Sequence, residues 1–175
     1  MRAYLILGPA GSGKTTVGRE LKRRGFHVTD LDFVDRLIDW TDLRSSRQIA
    51  KVPEHPYQHD WALSHRRVWD TDKMKELLAE VGNEIAFFCG GAENDRDFFG
   101  SFERCFGLHV DDETLTKRLR QRNPNRWSDG SKELQKLLAW NQRFQEFCRR
   151  HRVILIDSSP QPEAVADTVL NYIQE

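Results

Sequence analysis

No run in this sequence comes near the roughly 20 consecutive apolar residues that a membrane-spanning helix needs. The longest, EIAFFCGG and RVILID, are the size of strands, so no membrane anchor is expected. Nor does one sign of charge prevail. Lys plus Arg and Asp plus Glu each total 27, which leaves no global field to draw the chain to nucleic acid or to an anionic membrane. Any anion chemistry must come from local clusters. Cysteine is scarce: Cys89, Cys105 and Cys148 are odd in number and widely spaced in apolar or helical contexts. That argues against a disulfide frame or a zinc site and reads as reduced, buried thiols. Repeats and low-complexity tracts are absent, and the first strand-like run follows Met1 too closely to leave room for a signal peptide. A cytoplasmic, soluble protein is expected, as a monomer or homodimer.

What the sequence does have is alternation. Short unbroken apolar runs occur at Ala3 to Leu7, Phe26 to Thr29, Glu84 to Cys89, Cys105 to Val110 and Val153 to Ile156. Runs of this kind suit strands covered on both faces, as in a parallel sheet. Helical patterns lie between them at Thr15 to Arg24, Phe33 to Trp40, Asp70 to Val81, Asp112 to Arg122, Ser131 to Arg150 and Pro162 to Ile173. Such βαβ alternation predicts an α/β fold. At 175 residues the chain suits one domain, with Gly25 closing the first helix. The longest stretch without a pattern is Thr41 to Asp60, long enough to be a functional loop.

Residues 8 to 16 read GPAGSGKTT, directly after the strand AYLIL. Gly8, Gly13, Lys14 and Thr15 match G-x-x-x-x-G-K-S/T, with a strand before and a helix after, as the motif's mechanics require. Glycines let successive N–H groups turn inward around a phosphate, and the following helix aims its N-terminus at the same anion. Gly8, Ala10, Gly11, Ser12, Gly13, Lys14, Thr15 and Thr16 are thus the expected nucleotide contacts, with ATP and Mg²⁺ as cofactors. Lys14 would reach the β- and γ-phosphates and Thr15 would hold Mg²⁺; Thr16 is expected to cap or pack.

The second strand ends VTDLDF, setting Asp30 and Asp32 at a strand's C-terminal edge, where open α/β sheets bind ligands. Alternation would put both carboxylates on one side. One could position Mg²⁺ and the other accept a proton from an attacking hydroxyl, although Asp32 is also well placed to cap a helix starting near Phe33. The third strand ends FFCGGAEND, where Gly90 and Gly91 would let a ligand approach the backbone. Downstream, Arg118 and Arg122 share a helix face and Arg126 lies in the polar segment NPNRWSDG. Arginines on a closing segment can stabilise the charge of a transferring phosphoryl group; Arg120 reads as a solvated residue. No N-K-x-D guanine signature occurs.

Between Arg44 and Arg67 five Lys or Arg (Arg44, Arg47, Lys51, Arg66, Arg67) outnumber two acids (Glu54, Asp60). A small-molecule acceptor carrying carboxylate or phosphate would suit that excess, with Asp32, Arg66, Gly90 and Gly91 as its expected contacts. Trp61 and Trp69 could stack on it, although tryptophans at such spacing more often belong to a core. His55, His59 and His65 are spaced loosely for a metal, but Pro56 breaks the helix an i, i+4 pair would need.

With these motifs in this order, and E-T-L-x-x-R-L-x-x-R over residues 113 to 122, the chain resembles the shikimate kinase, gluconate kinase and nucleoside monophosphate kinase group, kinase-like P-loop ATPases of bacterial type. The resemblance implies a three-layer αβα sandwich with a five-stranded parallel sheet in the order 2-3-1-4-5. It also implies an acceptor-binding segment over 33–80 and a lid over 119–132, within a single domain of residues 1–175. It would give Asp30 to the Mg²⁺ region, Asp32 to the acceptor, Gly90, Gly91 and Ala92 to the acceptor-facing glycine turn, Arg118 or Arg122 to the adenine side, and Arg126 to the lid. Departures stand at DLDFVDR and NPNRWSD, where shikimate kinases read D-x-D-x-x-I-E and R-P-L-L. Three readings compete: a metabolite or nucleotide kinase, a polynucleotide-end kinase, against which the zero net charge counts, and a nonenzymatic ATP-binding switch.

Overall fold

The computed structural model describes residues 2–45, 47–53, 61, 64–82 and 84–174. In chain order the elements are β1 (Arg2–Leu7), α1 (Lys14–Arg23), β2 (His27–Asp30), β3 (Ile38–Asp42), β4 (His65–Trp69), α2 (Thr71–Ala79), β5 (Ile85–Cys89), β6 (Arg104–His109), α3 (Asp112–Arg122), α4 (Lys132–Arg150), β7 (Ile154–Asp157) and α5 (Pro162–Gln174). Single 3₁₀ segments cover Leu31–Phe33 and Asp95–Ser101. Five strands form a parallel sheet in the order β2-β5-β1-β6-β7. This is the expected 2-3-1-4-5 order once the sheet strands alone are numbered.

β1 explains the unbroken apolar runs. Tyr4 and Ile6 join Val17, Leu21, Val165 and Val169 under α1 and α5, while Ala3, Leu5 and Leu7 join Met74, Leu78, Phe144 and Cys148 under α2 and α4. Successive side chains point to opposite faces and both faces are covered, so every position is apolar. Helix ends follow local chemistry. Asp70, Asp111 and Ser131 cap α2, α3 and α4 through side-chain oxygens that accept from Lys73, Thr114 and Leu134 N–H groups at 2.7, 2.7 and 3.3 Å. At the end of α1, Gly25 adopts φ 92°. The Phe26 and Gly25 N–H groups close on the Leu21 and Lys22 carbonyls at 3.2 and 3.0 Å, the Schellman pattern. All three cysteines are buried free thiols, each pushed up to about 12 by burial. Among the described residues, no helix is long and apolar enough to cross a membrane.

One expected element is different in kind. A helix over Phe33 to Trp40 fits the spacing of Val34, Leu37 and Ile38, but the chain there makes a 3₁₀ turn, then an extended strand. Asp30 bends the backbone by accepting from the Asp32 N–H at 3.2 Å. Arg36 then adopts φ 57°, left-handed geometry that a helix does not tolerate. β3 pairs antiparallel with β4, Trp40 opposite Arg67 and Ile38 opposite Trp69. A partner some thirty residues away, invisible to local periodicity, decides the conformation.

Gly107 in β6 is the tightest packing point against α4: a Cβ there would stand 2.6 Å from Cys148 Sγ and 3.2 Å from the Phe144 ring. Gly107→Ala should therefore lower stability by about 1–3 kcal/mol in chemical denaturation. Adding Cys148→Ala should restore part of that loss, and additive destabilisation in the double variant would refute the packing account.

Candidate active site

The loop after β1 is built around space that side chains would fill. At Gly8, φ is 152°, and a Cβ would meet Ser12 Oγ at 2.4 Å and the Leu108 carbonyl at 2.6 Å. Gly13 turns left-handed at φ 102° to open α1, whose first turn receives no side-chain cap. That terminus lines the cavity, with Thr15 and Thr16 beside it. Thr16 is exposed and caps nothing, unlike the expectation. The Lys14 ammonium folds back over the loop, donating to the Gly8 and Pro9 carbonyls at 2.6 and 3.0 Å. Burial pushes its pKa down, with the Asp32 carboxylate opposing. Ser12 is fully buried and, among the described residues, its hydroxyl has no partner.

A residue that sequence reasoning missed fixes the loop in place. The Ser158 hydroxyl, just beyond β7, bonds to the Ser12 carbonyl at 2.7 Å and to the His109 carbonyl at 3.0 Å. It ties the phosphate loop to the ends of two neighbouring strands. Arg118 reaches the same place, donating to the Ser158 carbonyl at 2.9 Å. Its guanidinium lies 3.9 Å from where a Gly13 Cβ would be, so it stands over the loop. Arg122, one turn on, lines the same cavity, as does Arg126.

The capping role that the sequence offered to Asp32 falls to Asp30. Asp30, paired across the sheet with Cys89, is the residue that caps the following turn. Its Oδ2 is buried with no partner among the described residues, and it does not line the cavity. Asp32 leaves the strand on the 3₁₀ turn, lines the cavity and accepts from Arg67 at 2.6 Å. Strand alternation beyond Asp30 therefore does not hold. Arg66 is also corrected: it is exposed on the outer face of β4, while His65 and Arg67, of opposite parity, line the cavity. The alternation of β4 is the signal that would have chosen Arg67.

Gly90 and Gly91 separate in the same way. A Cβ on Gly90 would stand 2.8 Å from Leu31 Cβ, so its smallness serves packing; Gly91 has nothing within 4 Å and lines the cavity. Arg126 lies 4.6 Å from the Trp127 ring centre and donates to Glu133 at 2.9 Å. Arg120 is not merely solvated, since it pairs with Asp129 and donates to the Trp127 carbonyl. Trp127 itself is buried with Val110, Leu115, Leu119 and Leu134, which anchors the segment after α3. Trp69 is core. Trp61 stacks on His65 at 3.8 Å. His55 and His59 lie outside the described residues, and His65 bonds to the Trp61 carbonyl at 2.7 Å. The described residues hold no cluster of three or more metal-ligating groups.

The loop, Asp32, His65, Arg67, Gly91, Arg118, Arg122, Arg126 and Trp127 line one cavity of about 1440 Å³, larger than the ~300–1,000 Å³ typical of single-ligand pockets. It runs from the loop and Arg118 at one end past Asp32, Arg67 and Gly91 to a face of α4. Such a space can hold a triphosphate and a second molecule together.

Residues 5–138 match a family model described as an AAA domain. No curated protein matches. Similar solved structures include a shikimate kinase from Acinetobacter baumannii in complex with shikimate, 18% identical over 99% of this chain and 93% of its own, with a TM-score of 0.61. A deoxyadenosine kinase from M. mycoides with bound dATP is 13% identical over 99% of this chain and all of its own, at 0.60. A gluconokinase from Sinorhizobium meliloti 1021 is 16% identical over 99% and 91%, at 0.54. At these identities what is shared is the fold. The cradle of residues 8 to 15 and the sheet edge behind it thus have a place among known proteins: the chain belongs to the AAA domain family, in the P-loop fold that it shares with these small-molecule kinases.

Proposed function

We propose that the protein transfers the γ-phosphoryl group of ATP, with Mg²⁺, to a hydroxyl of a small acceptor. The observation that carries this reading is the Asp32–Arg67 pair. It stands in the same cavity as the Lys14 loop but outside the loop itself, where a phosphate cradle alone would need nothing. The likeness to P-loop kinases, one of them solved with shikimate and one with dATP, supports it.

The residues present fit the cofactors. Gly8, Gly11 and Gly13 all have positive φ and leave the cradle clear, and the Lys14 ammonium is held within it on two loop carbonyls that phosphate oxygens can replace. The Thr15 hydroxyl at the cavity wall and the unpartnered Asp30 Oδ2 behind it are the oxygens that would hold Mg²⁺, the aspartate through water. The metal would neutralise charge on the phosphate oxygens. Asp32 accepts the proton of the attacking hydroxyl, and Arg67 orients that carboxylate through its 2.6 Å bond. Arg118 and Arg122 serve the nucleotide, and Arg126, on a lid over 119–132, the transferring group. Within a single domain, residues 33–80 supply the acceptor side. An ATP donor and reduced buried thiols accord with a cytoplasmic location.

Incubation with labelled ATP, Mg²⁺ and pools of nucleosides, nucleotides, sugar acids and 5′-hydroxyl oligonucleotides should yield a phosphorylated small molecule. EDTA or Lys14→Ala should abolish the product; transfer that survives Lys14→Ala would sink the assignment. Asp32→Asn should lower turnover by about 10²–10⁴-fold with ATP affinity near wild type. Unchanged turnover would leave Asp32 only a partner for Arg67. Arg67→Ala should lower kcat/KM for the acceptor about tenfold or more while Arg66→Ala does not. The reverse ranking would contradict the β4 parity.

A further inference from the structure

Beyond Asp32 the cavity continues into a part that phosphoryl transfer does not explain. Asp95 opens the 3₁₀ segment after β5 and is 9% exposed, yet it lines the cavity. Among the described residues, no side chain pairs with its carboxyl; the Arg96 backbone N–H is its hydrogen-bonding neighbour. A carboxyl desolvated to this degree without a cation is costly unless something else meets it.

Its position relative to Asp32 is fixed by a chain of contacts. Arg67 grips Asp32, and the Arg67 carbonyl accepts from the Glu93 N–H at 2.9 Å. Asn94 then clasps Trp69, donating to its carbonyl and accepting from its N–H, both at 2.9 Å. Asp95 is the next residue, so the loop that carries it is bonded to the strand that orients Asp32. The cavity wall on α4 carries aromatic residues beside Lys136, Arg143, Glu146 and Arg150. Trp140, Phe144 and Phe147 follow one another at helical spacing on α4, with Trp140 and Phe147 5.3 Å apart and Phe144 and Phe147 stacked at 6.0 Å. Trp140 and Phe147 are only half-buried. Phe33 follows Asp32 directly and is 80% exposed at the cavity wall.

We propose that this is the recognition end of the acceptor site and that it takes a nucleobase, so that the acceptor is a nucleoside: Asp95 pairs with the hydrogen-bonding edge of the base, and the aromatic wall takes its planar face. The proposal rests on the phosphoryl-transfer reading above. Aromatic side chains offer a planar ring offset stacking that a sugar acid cannot use. Burial pushes the Asp95 carboxyl up to about 7. In its protonated form it presents a hydroxyl donor beside an acceptor oxygen, matching the adjacent donor and acceptor along a base edge.

Calorimetric titration of the full chain, with ADP and Mg²⁺ present, tests this with adenosine, cytidine, guanosine, uridine and gluconate as probes. At least one nucleoside should bind about tenfold or more tightly than gluconate. Asp95→Leu should weaken that nucleoside about tenfold or more, whereas Asp95→Asn, which keeps a donor beside an acceptor, should stay within a few-fold. ADP affinity should be unchanged in both variants, which also shows that they fold. Gluconate binding as tightly as every nucleoside, no nucleoside binding, or nucleoside binding indifferent to Asp95→Leu would each overturn the proposal. If Asp95→Leu does not fold, the wild-type ranking and the Asn variant decide. Nucleoside binding that depends on Asp95 without transfer from ATP would refute the kinase reading and leave this site standing; transfer to gluconate alone would do the opposite.

Discussion

Everything in this molecule that could handle phosphate depends on the close approach of backbone to backbone where β1 ends. Gly8 lies against the Leu108 carbonyl and Ser12 with no room for a Cβ, and Ser158 fastens the Ser12 carbonyl to the ends of β6 and β7. Parallel strands bring their C-terminal ends to one edge, so the loop, Asp30 and the glycine turn after β5 share that edge. Asp30 and Ile6 both pair with Cys89 from opposite sides, which sets them two strand spacings, about 10 Å, apart. A phosphate loop and a pair of carboxylates at that separation leave room for a substrate between them.

The second constraint is the small β3–β4 hairpin. It is held to the main sheet through Asn94 and Glu93, and it delivers Arg67 to Asp32. The Asp32 carboxylate is thus oriented from outside the sheet. In this account the acceptor side is specified by the hairpin and α4, and the phosphate side by the sheet edge, so acceptor recognition can differ between relatives that share the cradle.

The fold class and the phosphate loop were legible because their signals are local, while the strand order came only with the family resemblance. An unbroken apolar run means a strand covered on both faces, and glycines at positive φ before Lys14 mean a cradle. Asp30 and Asp32 were recognisable as a pair, but which of them caps the following turn was not. It turns on Asp30 accepting from the Asp32 N–H, a turn that the apolar spacing of Val34, Leu37 and Ile38 disguised as a helix. Arg67 was counted in a basic patch, but β4 had not been recognised as a strand, so parity could not separate it from Arg66. Ser158 and Asp95 carried no motif at all. One matters through contacts to residues far away in sequence, and the other through burial, which only the packed fold creates.

The central claim is that the protein joins ATP cleavage to phosphorylation of a second molecule. Phosphorus NMR of the wild-type protein with ATP, Mg²⁺ and a nucleoside mixture tests it most directly. The account predicts that ADP and a new phosphomonoester rise together, one for one, with little inorganic phosphate. Inorganic phosphate rising with ADP in place of the phosphomonoester, or ATP left intact, would contradict it.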